Sequence, residues 1–442
     1  MAQLRPIDRK IWGIAWPAIL SNLSIPLLGL VDGAILGNLG DARYLGAVAL
    51  GAALLSFLYW GFSFLRMGTT GLVARAVGAE DQEEAFLVLA RSMALALGLA
   101  LLVALAHPLW LGAGFALMQP SQELLPLANS YASLRIISAP AVLLTYAIVG
   151  WFIGHQNTRW PMAIMITTNL INIGLDFLFI IGLGWGSDGA AIATVVAEYM
   201  GLALALTLVA RDVAPDKWRA ALPQLMNISG YGRLLQSNRD LFLRTVCLLA
   251  SFAFFTSMGE KLGPEVLAAN ALLLQLLMLA AYGLDGFAFA AEGLCGTALG
   301  ARQLDGFYAA VRRCAFWTYL TAIGLSISFA LLHPVLFPWL TNLPEISTQL
   351  YRHVPWLIAL PILAAPSYLL DGVFIGSAQT RPMMWTMLAS AALVYLPLWY
   401  FTQALGNHGL WLSFSLFNAA RGVSLWAYYR HYNATGRWLQ TR

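Results

Sequence analysis

Charge is scarce in this chain. Lys, Arg, Asp and Glu make up 10% of its 442 residues and 60% are hydrophobic, too little polar surface for a water-soluble protein of this length. Residues 92–122, 136–158 and 382–420 contain none of the four charged types, and a bilayer span needs about 20 apolar residues. Cysteine is scarce as well. Cys247, Cys295 and Cys314 lie in or beside apolar runs with no CxxC spacing, which argues against structural disulfides and a zinc site. The six histidines, His107, His155, His333, His353, His408 and His431, are scattered. No Ser-His-Asp or metal-ligand spacing forms, so a membrane-embedded enzyme is disfavoured, and neither a metal nor a cofactor is expected. No cleavable leader is expected: the first apolar run, from near Ile11 to about Leu36, is too long for one and no small-residue cleavage site follows it. The net charge of +4 resides in loops and reads as an orientation signal rather than a nucleic-acid footprint.

What is present is a series of apolar runs. They predict an all-α membrane protein with 12 transmembrane helices near 11–36, 45–72, 86–110, 128–154, 161–183, 189–210, 240–259, 266–295, 309–333, 351–377, 383–404 and 409–430. The longest loop, 211–239, divides the chain into expected lobes at 1–210 and 240–442. Of the 25 Lys and Arg residues, 20 fall on one side, from Arg5, Arg9 and Lys10 to Arg437 and Arg442; Arg244 and Arg421 are counted with them. The exceptions are Arg43, Arg66, Arg135, Lys261 and Arg352. Positive residues stay cytoplasmic, so both termini are expected there.

The halves repeat at an offset near 222. GWFIGHQNTR at 150–159 matches GVFIGSAQTR at 372–381, Gly61 matches Gly283, Gly71 matches Gly293, and Ala76-Val77-Gly78-Ala79 matches Ala298-Leu299-Gly300-Ala301. Six spans per copy give both copies one orientation. The expectation is therefore two pseudo-symmetric six-helix bundles with a substrate held between them, the plan of a carrier.

Six acids lie inside the spans: Asp32, Asp176, Glu198, Asp285, Glu292 and Asp371. A charged residue there costs about 2.5–3.5 kcal/mol on insertion scales and commonly marks an ion path. Asn172 and Asp176 are four apart on the fifth span, as are Thr194 and Glu198 on the sixth, so each pair shares a helix face. Asp32 shares the first span with Pro17 and Pro26, either of which can act as a bend. A buried Asn–Asp pair can also simply hold helices together, but two acids are not needed for that. In the second half, Asp285 and Glu292 are seven apart on one face of the eighth span, and Asp371 follows Tyr368 by three on the tenth; these are cavity candidates. Arg66 and Arg135 are expected to pair with an acid or to snorkel.

At these residues the chain resembles the MATE (multidrug and toxic compound extrusion) transporters. WPAIL and VDGAILGNLG on the first span and GWFIGHQNTRWPM leading into a fifth span with Asn and Asp carry the resemblance. SFLRMGTTGLVARAVGA, NRDLFLRTVCLLASFAFF and LDGFAFAAEGLCGTALGA point to the DNA-damage-inducible F (DinF) subfamily. The resemblance implies export of amphipathic, often cationic compounds in exchange for H+ or Na+. It implies a cation site at Asp32, Asn172, Asp176 and Thr194, with Tyr131 as a further member, Na+ held if at all by Asp32 and Asp176, and Pro17 as the bending proline. It places the protein in a bacterial inner membrane, working as a monomer with small molecules, ions and lipid as its partners. An acid used by other branches on the seventh span is missing, since Phe254 and Phe255 occupy that region. A flippase of a lipid-linked intermediate is the alternative; it calls for a basic cavity, whereas the expected interior is mainly acidic.

Overall fold

An uncharged run in a bilayer must satisfy its backbone hydrogen bonds internally, and the apolar runs of this chain do so as helices. The computed structural model describes residues 6–39 and 41–439. Arg5 and Arg442 of the charge count, and Gly40 at the end of VDGAILGNLG, lie outside them. Among the described residues, eleven helical segments are long and apolar enough to cross a membrane: Pro6–Gly37, Arg43–Gly78, Gln82–Leu105, Leu125–Gly154, Arg159–Gly182, Gly186–Asp212, Ile228–Lys261, Pro264–Gly300, Leu304–Leu340, Pro344–Gly376 and Thr380–Leu405. Asn407–Thr435 is the twelfth in the series; its polar side chains, Arg421 among them, make it less apolar than the rest. We number these as the first to twelfth spans. No strand occurs among the described residues.

Several boundaries differ from the sequence expectation. The eighth and ninth spans run 37 residues each, about 55 Å at helical rise, so their ends extend beyond a hydrocarbon core of about 30 Å. The third span stops at Leu105, and a separate helix, His107–Met118, follows with proline in its first turn, a position that tolerates a missing N–H. The loop expected at 211–239 is also largely helical. It holds Pro215–Leu225, whose Trp218 stands edge-on to Phe86 of the third span at 4.7 Å.

The chain forms two compact units. Of the described residues, one comprises 20–73 and 82–235, Gly40 aside; the other takes 6–19, 74–81 and 236–439. They cut the chain differently from 1–210 and 240–442, and backbone packing accounts for part of the difference. A Cβ on Gly78 would stand 2.0 Å from the Thr297 carbonyl oxygen, and one on Gly300 2.1 Å from that of Arg75, so the turn at 74–81 sits against the end of the eighth span. The boundary in the first span falls between Ile19 and Leu20, with Pro17 before it and Pro26 after it. The helix runs without interruption past both prolines.

In the first-half unit the fifth span packs on the sixth, the third on the fourth, and the fourth on the second and sixth. In the other unit the tenth span is central, packed by the eighth, ninth and twelfth. An aromatic core fills this unit: Phe255 meets Trp411 at 4.9 Å and Phe414 at 5.0 Å, and Tyr395 stacks on Phe417 at 5.2 Å. Phe255 is thus a core residue. Leu102, Leu105, Leu109, Leu331, Leu393 and Phe401 are exposed, which suits a lipid-facing surface rather than an aqueous one.

Candidate functional site

On the fifth span Asn169, Asn172 and Asp176 follow one another at steps of three and four, which stacks them along one helix face. All three are buried. Directly after Asp176 the helix widens into a π-helical turn, Phe177–Gly182, a distortion often found at functional sites. The first span lies along this face. Asn169 Nδ2 donates to Ser24 Oγ at 2.9 Å, and two turns further the half-buried Asp32 brings its carboxyl group to that of Asp176. The sixth span closes the group: Asn172 Nδ2 donates to Thr194 Oγ1 at 3.3 Å, and Thr194 Oγ1 donates to the Ala190 carbonyl at 2.9 Å.

Both Asp176 oxygens, Asp32 Oδ1 and Asn172 Oδ1 are buried with no hydrogen-bond donor. Acceptors left so are costly in a low-dielectric interior. An all-oxygen set of this kind fits a proton or a hard monovalent cation. The structure therefore brings Asp32, Asn172, Asp176 and Thr194 together. No cluster of three or more His, Cys, Asp or Glu suited to a metal ion occurs among the described residues.

Tyr131 and Glu198 lie beside this group with Arg135. Tyr131 is buried, packs on Gly51 of the second span, and neighbours both Arg135 and Asp32. Arg135 Nη1 donates to Glu198 Oε2 at 2.7 Å and to Ser138 Oγ at 3.2 Å. Arg135 thus has the acidic partner expected for it, and Glu198 is ion-paired one turn beyond Thr194. Asn169 and Ser24 were not singled out from the sequence. The signal for Asn169 was available, since 169, 172 and 176 share one face.

The second-half acids sit in the other unit and differ among themselves. Glu292 is buried, and its carbonyl lies against Gly376. Asp285 is half-buried near Tyr368 and Tyr282. Asp371 is clamped by Arg244 of the seventh span and Arg421 of the twelfth, Arg421 Nη2 standing 3.0 Å from its Oδ2. Arg244 and Arg421, counted from the sequence as cytoplasmic flank charges, are buried in the helix bundle. Here the interior is not mainly acidic: two guanidiniums face one carboxylate.

A sequence model of the MatE family matches residues 17–178 and 241–401. The chain is 38% identical to DNA damage-inducible protein F of Escherichia coli over 99% of its own length and 95% of that protein. It is 26% identical to the chloroplastic Protein DETOXIFICATION 44 of Arabidopsis thaliana, over 98% of this chain and 84% of the other. Among solved structures, a MATE protein crystallised in a bent conformation superimposes with a TM-score of 0.86 at 20% identity, covering 99% of this chain and 98% of the other. That likeness shows the fold.

Proposed function

The chain belongs to the MatE family, the MATE transporters, and from that premise we propose that it is a secondary antiporter that exports amphipathic, often cationic compounds in exchange for a cation. It is a multi-pass membrane protein and not an enzyme. The observation that carries the coupling is the pair Asp32 and Asp176, two carboxyl groups from different spans brought together with buried, donorless oxygens. Like charges so placed repel, and one bound cation between them relieves the repulsion.

In this reading a proton, in preference to Na+, enters from outside and is shared by Asp32 and Asp176. Asn172, one turn before Asp176, and Thr194 are hydrogen-bonded to each other and complete the oxygen set beside the pair. Neutralising Asp32 changes what the part of the first span beyond the prolines prefers to pack against, and the helix bends at Pro17 or Pro26. The bend shrinks the first-half cavity and releases the compound outward; return to the inward-facing state delivers the proton to the cytoplasm. Tyr131 and the Arg135–Glu198 pair border the site, and Arg135 supplies a resident positive charge near Asp32. The two lobes, 1–210 and 240–442 joined by 211–239, are the bodies that rock. The inner-membrane location and cytoplasmic termini belong to the same proposal and rest on the excess of Lys and Arg on one side and on the bacterial relative; a monomer is proposed with them.

The test is dye efflux from proteoliposomes under a pH gradient or a Na+ gradient imposed separately, with wild type and Asp32→Asn. Efflux driven by the pH gradient and lost in the variant is the expected result. Efflux driven only by Na+ overturns the choice of ion, and no movement of any cationic dye under either gradient overturns the exporter reading.

A further inference from the structure

Three charged side chains that the proposed coupling site does not use meet in the second-half unit. Arg244 and Arg421 both direct Nη2 to one atom, Oδ2 of Asp371. Arg421 Nη1 also donates to Asn418 Oδ1 at 3.1 Å, and the guanidinium lies 5.7 Å from the centre of the Phe417 ring. The arginine side chains are only 7% and 8% exposed, so both are nine-tenths buried. Arg244 Nε is buried with no partner, and so is the hydroxyl of the adjacent Thr245. Tyr368 stands one turn before Asp371 and shares the neighbourhood of both guanidiniums.

This is a poor design for a purely structural clamp. A guanidinium and a carboxylate pair best one to one, through two parallel bonds. Here two permanently charged groups crowd one oxygen, and N–H donors are left over from the five that each guanidinium carries. A second oxyanion would occupy those donors and separate the like charges. Asp371, five residues before the end of the tenth span at Gly376, then serves as the resident anion that a ligand displaces or joins.

We infer that the Arg244–Asp371–Arg421 cluster binds the oxyanion of an amphipathic organic compound, a carboxylate. This rests on the exporter reading and widens its substrate class from cations to zwitterions and anions. The planar forks select a planar carboxylate; a neutral ester of the same compound gains nothing from them. An anionic phospholipid headgroup offers similar chemistry, but the arginines are enclosed by helices rather than turned to the lipid.

The probes are a rhodamine dye as its ethyl ester, a cation, and as the free carboxylic acid, a zwitterion with the same rings. Binding to the full-length protein is read by fluorescence anisotropy, so the result does not depend on coupled transport. Wild type is expected to bind both. Arg244→Gln and Arg421→Gln should each weaken the acid about tenfold, the scale of one lost charge-assisted bond, and leave the ester within about twofold. Asp371→Asn should tighten the acid, a gain that a structural role for the cluster does not produce. Variants that fail size-exclusion are replaced by Arg→Lys, which keeps the charge, loses the fork and should also weaken the acid selectively. If wild type binds the ester and not the acid, or if both dyes respond alike to every variant, the inference is overturned while the exporter reading stands. If wild type binds neither, both fall. Binding is repeated in nanodiscs of phosphatidylcholine alone and with phosphatidylglycerol. Unchanged acid affinity supports an organic anion, whereas displacement by phosphatidylglycerol that needs the same arginines makes the occupant a lipid headgroup and overturns the inference.

Discussion

Gly150 stands directly on the backbone of Arg66: a Cβ at position 150 would lie 2.4 Å from the Arg66 carbonyl oxygen. At an offset of 222 residues the contact recurs, and a Cβ on Gly372 would lie 2.4 Å from the carbonyl oxygen of Ala288. The fourth span therefore meets the second as the tenth meets the eighth, each without a side chain between them. Small residues permit such close helix contacts in membranes.

Gly150→Ala and Gly372→Ala are each expected to destabilise the protein by about 1–3 kcal/mol, the usual cost of overpacking, because the obstructing atom is backbone and cannot swing aside. Gly98→Ala on the third span, where nothing lies within 4 Å, should be neutral or slightly stabilising, since alanine favours a helix. Thermal unfolding of the purified variants, followed by the fraction surviving size-exclusion after heating, measures both.

These glycine contacts were legible in the sequence as repeats, because a backbone contact that admits only glycine leaves the same residue in both copies. The first-half site was legible for a similar reason: Asn172 and Asp176, or Thr194 and Glu198, are four apart on one helix, and local periodicity reveals a shared face. Partners distant in the chain were not. Nothing near Arg244 announces Asp371, 127 residues away, and an arginine near the start of a span looks like an interfacial charge until the bundle is assembled around it. The helix at Pro215–Leu225 was missed because its polar composition reads as a loop; Trp218 against Phe86 gives it a reason to fold.

Arg135 and Glu198 form a largely enclosed pair, 12% and 19% exposed. Removing one partner strands the other, at a cost of about 3–5 kcal/mol for a fully buried pair and somewhat less here. Arg135→Gln and Glu198→Gln should each lower the unfolding temperature, and the double variant should recover part of the loss. A double-mutant cycle on thermal stability reads the coupling; strictly additive losses would contradict the pairing.

Asn270 of the eighth span exchanges two hydrogen bonds with Asn407, at 2.8 and 2.9 Å, and its Oδ1 also accepts from Trp411 Nε1 at 2.8 Å. Asn270→Ala leaves the Asn407 amide and the indole N–H without these partners. Each buried orphan costs about 1–3 kcal/mol, so this variant should be among the least stable. Asn270→Asp keeps an acceptor for the indole but loses the donor to Asn407, and should fall between Ala and wild type. Indole fluorescence during thermal unfolding ranks the three, and the order Ala, Asp, wild type is the expected one.

Thr194 separates the two candidate ions. Its hydroxyl oxygen accepts from Asn172 and donates to its own helix. Thr194→Val keeps the shape and removes the oxygen. If a proton is the coupling ion, that oxygen only steadies Asn172; at 3.3 Å the bond is long, worth about 0.5 kcal/mol, and efflux driven by a pH gradient should fall by no more than about twofold. If Na+ is the coupling ion, the hydroxyl is one of a small set of hard oxygen ligands, and its loss should raise the half-saturating Na+ concentration severalfold. Proton coupling is the proposal, so near-normal pH-driven efflux from Thr194→Val, alongside complete loss in Asp32→Asn, is the expected pair of results. A valine variant as inactive as Asp32→Asn, in a protein that still elutes as folded, would make Thr194 a ligand and shift the assignment to sodium.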